Sequence, residues 1–256
     1  MADTRPTLTL ARLAALYDRL DPDRGDLDAY LRAARDLGAR RVLDIGCGTG
    51  VFALMLADRA VEVVGLDPDR ASIDVARAKP GSERVRWIRG DATSLPPLRV
   101  DLVTMTANAA QEIIGRSLWR RTLRGAREAL RPGGRLLFES RDPAMRAWQE
   151  WNRETSRRVT AVPGVGEVES WVELIEADLP LVSFRWTYVF AADGAVLTTR
   201  STLRFRERRE IEKDLAEAGF LLEDVRDAPD RPGREFVFLA RRPERTRARA
   251  AATEHG

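Results

Sequence analysis

The sequence has little of several residues on which common sites and scaffolds depend. Its one cysteine, Cys47, excludes an internal disulfide and a cysteine-based zinc site, and its one histidine, His255, stands near the end of the chain, away from any folded body. No stretch approaches the about 18 uncharged apolar residues that would suggest a membrane span. The first thirty residues lack the apolar core of a signal peptide. We therefore expect a cytoplasmic protein without a membrane partner.

Lysine is also scarce, because only Lys79 and Lys213 occur and nearly every cation is an arginine. The formal net charge is +3, and the segment from Arg241 to the end carries five arginines against two glutamates, which accounts for that excess. Residues 1–240 are close to neutral, so we expect no surface that follows a nucleic-acid backbone. Residues 241–256 are interpreted as a basic, disordered tail.

Strand-like and helix-like segments alternate with short loops from residue 41 to residue 139. The strands are short apolar runs, and the helix over 116–130 stops at Arg131-Pro132-Gly133-Gly134. Such alternation is typical of right-handed βαβ units, whose parallel strands are covered by helices on both faces. The fold class predicted is α/β, with a doubly wound, mostly parallel, seven-stranded Rossmann-like sheet formed by residues 1–141 and 206–240.

Residues 142–205 interrupt this alternation. We predict a helix or helix pair over 142–160. Three strand-like runs follow, at 167–176, 181–191 and 195–205. The second run places apolar residues on one face from Val182 to Phe190, and Asp193-Gly194 is a hairpin signal. We therefore expect an antiparallel β meander inserted into the sheet domain, acting as a lid or, through that apolar face, as the interface of a homodimer.

Polar groups follow three successive predicted strands. The first strand runs into Leu43-Asp44-Ile45-Gly46-Cys47-Gly48-Thr49-Gly50, where glycines allow a ligand to approach the backbone and the next helix favours an anionic group. Asp67 ends the second strand, where a carboxylate can accept both hydroxyls of a ribose. Asp91 ends the third, where a carboxylate can accept from an adenine amine. The three positions predict a site for a nucleoside-like ligand at one edge of the sheet.

These motifs, in this order, resemble those of the class I S-adenosylmethionine-dependent methyltransferases. Asp101-Leu102-Val103 and Leu130-Arg131-Pro132-Gly133-Gly134 are similar to the family's fourth-strand motif and to the turn before its fifth strand. The resemblance covers about residues 10–140 and 206–240. It implies S-adenosylmethionine as cofactor, S-adenosylhomocysteine as product and no metal. The Gly-x-Gly-x-Gly spacing differs from the Gly-x-Gly-x-x-Gly of dinucleotide-binding enzymes.

The resemblance also implies which residues form the site. Cofactor contacts are expected from Asp44, Gly46, Cys47, Gly48, Gly50, Asp67, Pro68, Asp91, Ala92 and Asn108. Tyr17 resembles a helix position that closes over the cofactor in such enzymes, although simple helix packing is the alternative. The acceptor is expected near Tyr17, Gln111 and Arg141, where a solvated loop residue and a surface ion pair are the alternatives for the last two. Tyr17, Asn108 and Glu112 are the candidate catalytic residues.

The function expected is methyl transfer to a small-molecule acceptor. The insertion resembles, in position and pattern, the antiparallel sheet of sugar-amine N-methyltransferases. Displacement at a sulfonium can be driven largely by positioning and desolvation, and a neutral amine needs no strong base, so a nitrogen acceptor is slightly favoured. Two alternatives stay open. One is methylation of RNA or protein, which the basic tail favours. The other is a non-catalytic sensor or scaffold that only binds S-adenosylmethionine.

Overall fold

The computed structural model describes residues 5–244, so residues 245–256 of the tail predicted over 241–256, with His255, lie outside the described residues, whereas Arg241 ends a strand. The α-helices are α1 (Arg5–Leu20), α2 (Asp28–Asp36), α3 (Val51–Ala57), α4 (Arg70–Ala78), α5 (Ala109–Glu112), α6 (Arg116–Ala129), α7 (Arg153–Ser156) and α8 (Arg208–Glu217). Among these described helices, none combines the length and apolar character needed to cross a bilayer. The cytoplasmic location stays a prediction.

A seven-stranded sheet forms the centre of the molecule. The strands are β1 (Arg41–Ile45), β2 (Glu62–Asp67), β3 (Val85–Arg89), β4 (Val100–Met105), β5 (Leu130–Arg141), β10 (Leu221–Asp227) and β11 (Glu235–Arg241). Their order is β10-β11-β5-β4-β1-β2-β3, with β11 antiparallel to both neighbours and the other pairs parallel. Helices cover both faces, so adjacent residues such as Val42 and Leu43 are both buried, in separate apolar clusters. The doubly wound, mostly parallel sheet predicted from the sequence is confirmed.

A second sheet is built wholly from the chain between β5 and α8. Its strands are β6 (Arg158–Val162), β7 (Gly166–Asp178), β8 (Leu181–Phe190) and β9 (Val196–Arg204), all antiparallel in the order β6-β7-β8-β9. The helix predicted over 142–160 is wrong. Arg146 adopts a left-handed conformation with φ 46°, which ends a helix, and residues 158–162 pair with β7. The segment holds only short helical turns and a fourth strand.

The apolar face of β8 is already covered within the chain. Val182 at one end packs with Trp148 and Phe205, and Phe190 at the other end packs with Leu16 and Leu20 of α1. The side chains between them line a cavity described below. The observation that motivated a homodimer through residues 142–205 therefore does not hold, because this face is not free for a second copy. The homodimer itself stays a prediction.

Gly125 lies inside α6, at the point where the segment between β3 and β4 comes closest to this helix. A Cβ atom at this position would lie 1.8 Å from the carbonyl oxygen of Ala92. Helix propensity alone predicts that Gly125→Ala adds about 1 kcal/mol of stability. The contact predicts the reverse, a loss of about 1–3 kcal/mol in the free energy of unfolding by urea. Ser117→Ala, at an exposed position of the same helix, should be close to neutral. A Gly125→Ala protein more stable than wild type would contradict the close approach.

Candidate cofactor and acceptor site

A cavity of about 250 Å³ lies at the carboxyl edge of the parallel sheet. Its walls are formed by the loop after β1, the end of β2, the turn after β4, and α1 with the segment that follows it. Five of the residues predicted to touch a cofactor line it, namely Asp44, Gly46, Cys47, Gly48 and Asp67. Two of the three candidate elements, the loop after β1 and the end of β2, therefore meet at this cavity.

Asp44 presents an unused carboxylate oxygen to this cavity. The residue is 1% exposed, its Oδ1 accepts a hydrogen bond from the Thr104 hydroxyl at 2.9 Å, and its Oδ2 has no partner within residues 5–244. Burial raises the pKa of this carboxyl to about 7, although the Thr104 bond opposes the shift. A buried acceptor without a partner is costly to the fold. This oxygen is therefore suited to a cationic group of a ligand.

Asp67 connects the end of β2 to the glycine-rich loop. Its Oδ2 accepts the backbone N–H of Gly48, and its Oδ1 accepts that of Asp69, both at 2.8 Å. Burial raises the pKa of this carboxyl, while the two backbone bonds oppose the rise. A carboxylate has about four acceptor positions, so two remain for hydroxyl groups in the cavity. Asp67 thus shapes the loop and can also bind a ligand.

The glycine-rich loop takes a path that side chains would block. Gly46, Gly48 and Gly50 all have positive φ, at 72°, 52° and 81°. A Cβ on Gly50 would lie 2.3 Å from the Trp87 ring, whereas one on Gly48 would meet nothing within 4 Å. Gly48 lines the cavity and Gly50 does not. Gly50 therefore serves the packing of the loop on β3, and Gly48 leaves room for a ligand.

The structure does not bring every predicted cofactor residue to this cavity. Pro68, Asp91, Ala92 and Asn108 are absent from its lining. The Asp91 carboxylate accepts the N–H of Thr93 at 2.8 Å within its own turn, and Ala92 is buried beneath. Contact of Asp91 with an adenine stays a prediction.

A second cavity, of about 510 Å³, lies between the sheet edge and the inserted sheet. The inserted segment contributes an aromatic wall, made by Trp151, Phe184, Trp186 and Tyr188. Four residues line both this cavity and the first one, namely Tyr17, Arg24, Ala107 and Glu112. The two cavities therefore share a boundary, which is where a group could pass from a ligand in one to a ligand in the other.

Glu112 stands at this boundary without a partner. No hydrogen bond or ion pair of its carboxylate occurs within the part of the chain that the structure describes. Its residue is exposed through the two cavities that it lines, and the protein packed around the carboxyl, followed by the charge of Asp67, raises its pKa to about 6. Tyr17 is 54% exposed, and it too is open to the two cavities it lines. The Asn108 Oδ1 atom is buried without a partner and its residue lines the second cavity.

Most other charges of the second cavity are neutralised within the protein. Arg24 pairs with Asp26 at 3.1 Å, and Arg158 with Asp21 at 3.3 Å. Arg141 lines the cavity, pairs with the buried Glu235 at 3.3 Å and lies 5.5 Å above the Trp151 ring. Arg141 therefore forms a largely buried ion pair at the cavity wall, and its contact with an acceptor stays a prediction. Of the cavity's charged side chains, only Glu112 and the exposed Arg200 have no partner in residues 5–244.

Gln111 does not contribute to the acceptor site, and the sequence-based prediction for it is wrong. It is 0% exposed. Its Oε1 accepts the N–H of Arg141 at 3.2 Å and its Nε2 donates to the carbonyl of Arg204 at 3.5 Å. A buried amide is stable only when such bonds are made. Gln111 therefore joins α5 to β5 and β9, beside the neighbour that does reach the cavities.

Several residues near the site were not found from the sequence. Asp18 of α1 accepts the Thr49 hydroxyl at 2.6 Å and pairs with Lys79, which also donates to the Thr49 carbonyl at 2.6 Å. These contacts fasten α1, and with it Tyr17, to the glycine-rich loop. Asp18 directly follows Tyr17 in the sequence, but its spacing to Thr49 and Lys79 follows no local pattern that could have revealed the contact.

Residues 42–134 match the family model described as a methyltransferase domain. Residues 42–134 therefore form a methyltransferase domain. A curated relative, the cypemycin N-terminal methyltransferase of Streptomyces sp, is 37% identical over 129 residues, which cover 49% of this chain and 51% of the relative. The chain thus spans about half the length of the curated relatives that it matches.

Solved structures of methyltransferases share the fold over nearly the whole chain. The CcbJ methyltransferase of Streptomyces caelestis has a TM-score of 0.73 at 24% identity, and the match covers 90% of this chain and 96% of that one. The sugar N-methyltransferase KedS8 of Streptoalloteichus sp has a TM-score of 0.71 at 20% identity, covering 89% and 93%. The likeness covers about nine tenths of this chain, so it extends beyond residues 42–134.

Proposed function

We propose that the chain transfers a methyl group from S-adenosylmethionine to a nitrogen atom of a small-molecule acceptor. The observation that carries the proposal is the boundary between the two cavities, where the unpaired Glu112 carboxylate faces both. A cofactor in the first cavity and an amine in the second would meet there. An anionic group at this point favours an amine, whose nitrogen becomes cationic as it takes up the methyl group, over an acidic acceptor.

The first cavity fits the proposed cofactor. The partnerless Asp44 Oδ2 matches an ammonium group, the free acceptor positions of Asp67 match ribose hydroxyls, and Gly48 leaves open space. When bound, S-adenosylmethionine supplies a methyl group on a sulfonium centre, whose transfer leaves a neutral thioether. In residues 5–244, no group of three or more His, Cys, Asp or Glu side chains is placed to hold a metal ion.

The chain's own residues then act on the acceptor. As the nitrogen lone pair forms its bond to the methyl carbon, the carbon–sulfur bond breaks and the nitrogen releases a proton. Glu112 is ionised above its pKa of about 6, so it can pair with the cationic nitrogen and receive that proton. The aromatic wall excludes water from the acceptor, and Tyr17 closes the boundary from α1. Positioning and desolvation provide the rest of the rate enhancement.

We also propose that residues 142–205 form a lid subdomain on the domain made by residues 1–141 and 206–240. The aromatic wall supports this role, because Trp151, Phe184, Trp186 and Tyr188 all belong to the inserted segment. Removing the segment would open the acceptor cavity to solvent. In the intact protein, the inserted segment, and not the methyltransferase domain itself, would select the acceptor by its shape.

The comparisons support a nitrogen atom as the methyl acceptor, but they are compatible with two classes of acceptor molecule. One relative is named an N-terminal methyltransferase and one structural neighbour a sugar N-methyltransferase. Labelled S-adenosylmethionine should therefore be offered with amino sugars, short peptides with a free amino terminus, phenols and carboxylic acids. We expect incorporation of label into one of the two amine classes. Incorporation into phenols alone would contradict a nitrogen acceptor, and bound cofactor with no transfer to any class would favour the non-catalytic sensor.

A further inference from the structure

The turn after β4 holds two successive residues in a strained backbone conformation. Ala107 and Asn108 have φ of 53° and 69°, in the left-handed region that favours glycine. Each such residue costs about 1–2 kcal/mol unless its surroundings hold it. Ala107 lines both cavities, and α5, which ends at Glu112, begins directly after Asn108. The strained turn therefore sets both the cofactor wall and the start of the helix that presents Glu112.

One buried side chain holds this turn from the neighbouring strand. Glu139 of β5 is 5% exposed, and its Oε1 accepts the backbone N–H of Asn108 at 3.1 Å. Its Oε2 accepts a hydrogen bond from the hydroxyl of Tyr30 on α2. Tyr30 is itself buried and meets Phe52 of α3 edge-on, with ring centroids 6.4 Å apart. Glu139 is thus held in place by α2 and α3 on one side, and on the other side it hydrogen-bonds the turn after β4.

We propose that Glu139 is a positioning residue that holds the Ala107–Asn108 turn in its left-handed form and so keeps the cofactor wall and Glu112 in place. This inference rests on the proposed function for its meaning in catalysis. Glu139 acts through the backbone of the turn and not on a ligand, because Asn108 and Tyr30 occupy its two carboxylate oxygens. A buried carboxylate that accepts a strained residue's N–H acts against the relaxation of that residue.

A double-mutant cycle tests this link between Glu139 and the strain at Ala107. The measured quantity is the Kd of S-adenosylhomocysteine by calorimetry for wild type, Glu139→Ala, Ala107→Gly and the double variant. We expect Glu139→Ala to weaken binding about tenfold, the scale of one strained residue. In the Ala107→Gly background the same change should cost about twofold, because glycine adopts φ near 53° without strain. Glu139→Gln keeps an oxygen for the Asn108 N–H and should weaken binding by at most about threefold.

Two further variants distinguish a specific effect on ligand affinity from a general loss of stability. Asp214 is buried to 1% exposure, bonds Trp119 Nε1 at 3.1 Å and lines neither cavity, so Asp214→Ala should lower the Tm without changing the Kd. If Glu139→Ala does not fold, Tyr30→Phe takes its place in the cycle, since it removes only the hydroxyl that fixes Glu139.

Equal losses from Glu139→Ala in both backgrounds would overturn the inference. Wild-type protein that fails to bind S-adenosylhomocysteine would overturn the proposed function instead. In that case the same four proteins are compared by their urea midpoints, where the coupling between Glu139 and Ala107 should persist and additive midpoints would overturn the inference.

Discussion

Asp44→Asn should weaken the binding of S-adenosylmethionine by about 100-fold, the usual scale for removing one partner of a buried charge pair. The reason is the Asp44 Oδ2 atom, which is buried and has no partner in the described chain, so the proposed ligand's ammonium group would supply its only bond. An asparagine keeps the shape and the contact with Thr104 but loses the charge. Calorimetric titration measures the affinity.

The same substitution should leave the ligand-free protein more stable than wild type at pH 8. Burial raises the pKa of Asp44 to about 7, so the folded protein binds this proton more tightly than the unfolded chain does. Stability of the wild type therefore falls as the pH rises from about 4 to about 7. Asp44→Asn removes that loss, so its advantage in Tm should be largest at pH 8 and vanish near pH 4.

Asp101→Asn is the matched control. The Asp101 carboxylate accepts the N–H groups of Arg40 and Arg41, both at 2.9 Å, at the opposite edge of the sheet. These bonds and the Arg131 guanidinium outweigh partial burial and hold its pKa below the usual range. Its stabilising contribution is present at neutral pH and lost on acidification. The control should therefore lower the Tm and leave cofactor affinity unchanged, and a weaker Asp101→Asn affinity would undermine the assignment of Asp44.

Glu112→Gln should lower kcat/KM for the amine acceptor by about 100-fold, at the lower end for loss of a proton-accepting group. The affinity for S-adenosylhomocysteine should change by no more than about threefold, because no hydrogen bond or ion pair joins the Glu112 carboxylate to a described residue of the cofactor cavity and the substitution leaves that wall in place. Glu128→Gln, at an exposed position of α6, is the control and should match wild type. If the Glu112→Gln enzyme were as active as wild type, Glu112 would have no role in the reaction.

The pH profile provides a second measurement on the same residue. Burial and the Asp67 charge raise the pKa of Glu112 to about 6, and only the ionised carboxylate can pair with an ammonium group. The wild-type kcat/KM should therefore fall as the pH drops through about 6, and Glu112→Gln should lack this inflection. Persistence of the inflection in the variant would assign it to another group, of which Asp44 is the first candidate.

The parallel sheet and the cofactor loop could be predicted because their signals are local. Apolar runs between helices predicted the strands, and the glycines from Gly46 to Gly50 predicted the turn that their positive φ values confirm. The second sheet was predicted in part. Its first strand, Arg158–Val162, was mistaken for helix because an exposed strand of five residues carries little apolar pattern. Its pairing with β7 decided the structure.

The acceptor side could not be predicted residue by residue. Gln111 and Glu112 are neighbours in the sequence, and both were expected near the acceptor. The single turn of α5 directs Gln111 into the protein and Glu112 toward the cavities. Successive helical residues point about a quarter-turn or more apart, so the orientation of one short helix gives the two side chains opposite roles. No pattern in four residues encodes that orientation.

What the sequence determined by itself is the chemistry of the cofactor edge, since Asp44, the glycines and Asp67 each follow a strand whose direction the βαβ rule fixes. What only the tertiary structure decided is the wall between cofactor and acceptor. Glu139 meets the turn at Asn108 across 31 residues, and Tyr188 of the aromatic wall packs against the cluster that holds Leu16 and Leu20 of α1. Contacts of that separation depend on how two sheets pack, and packing is a property of the whole chain.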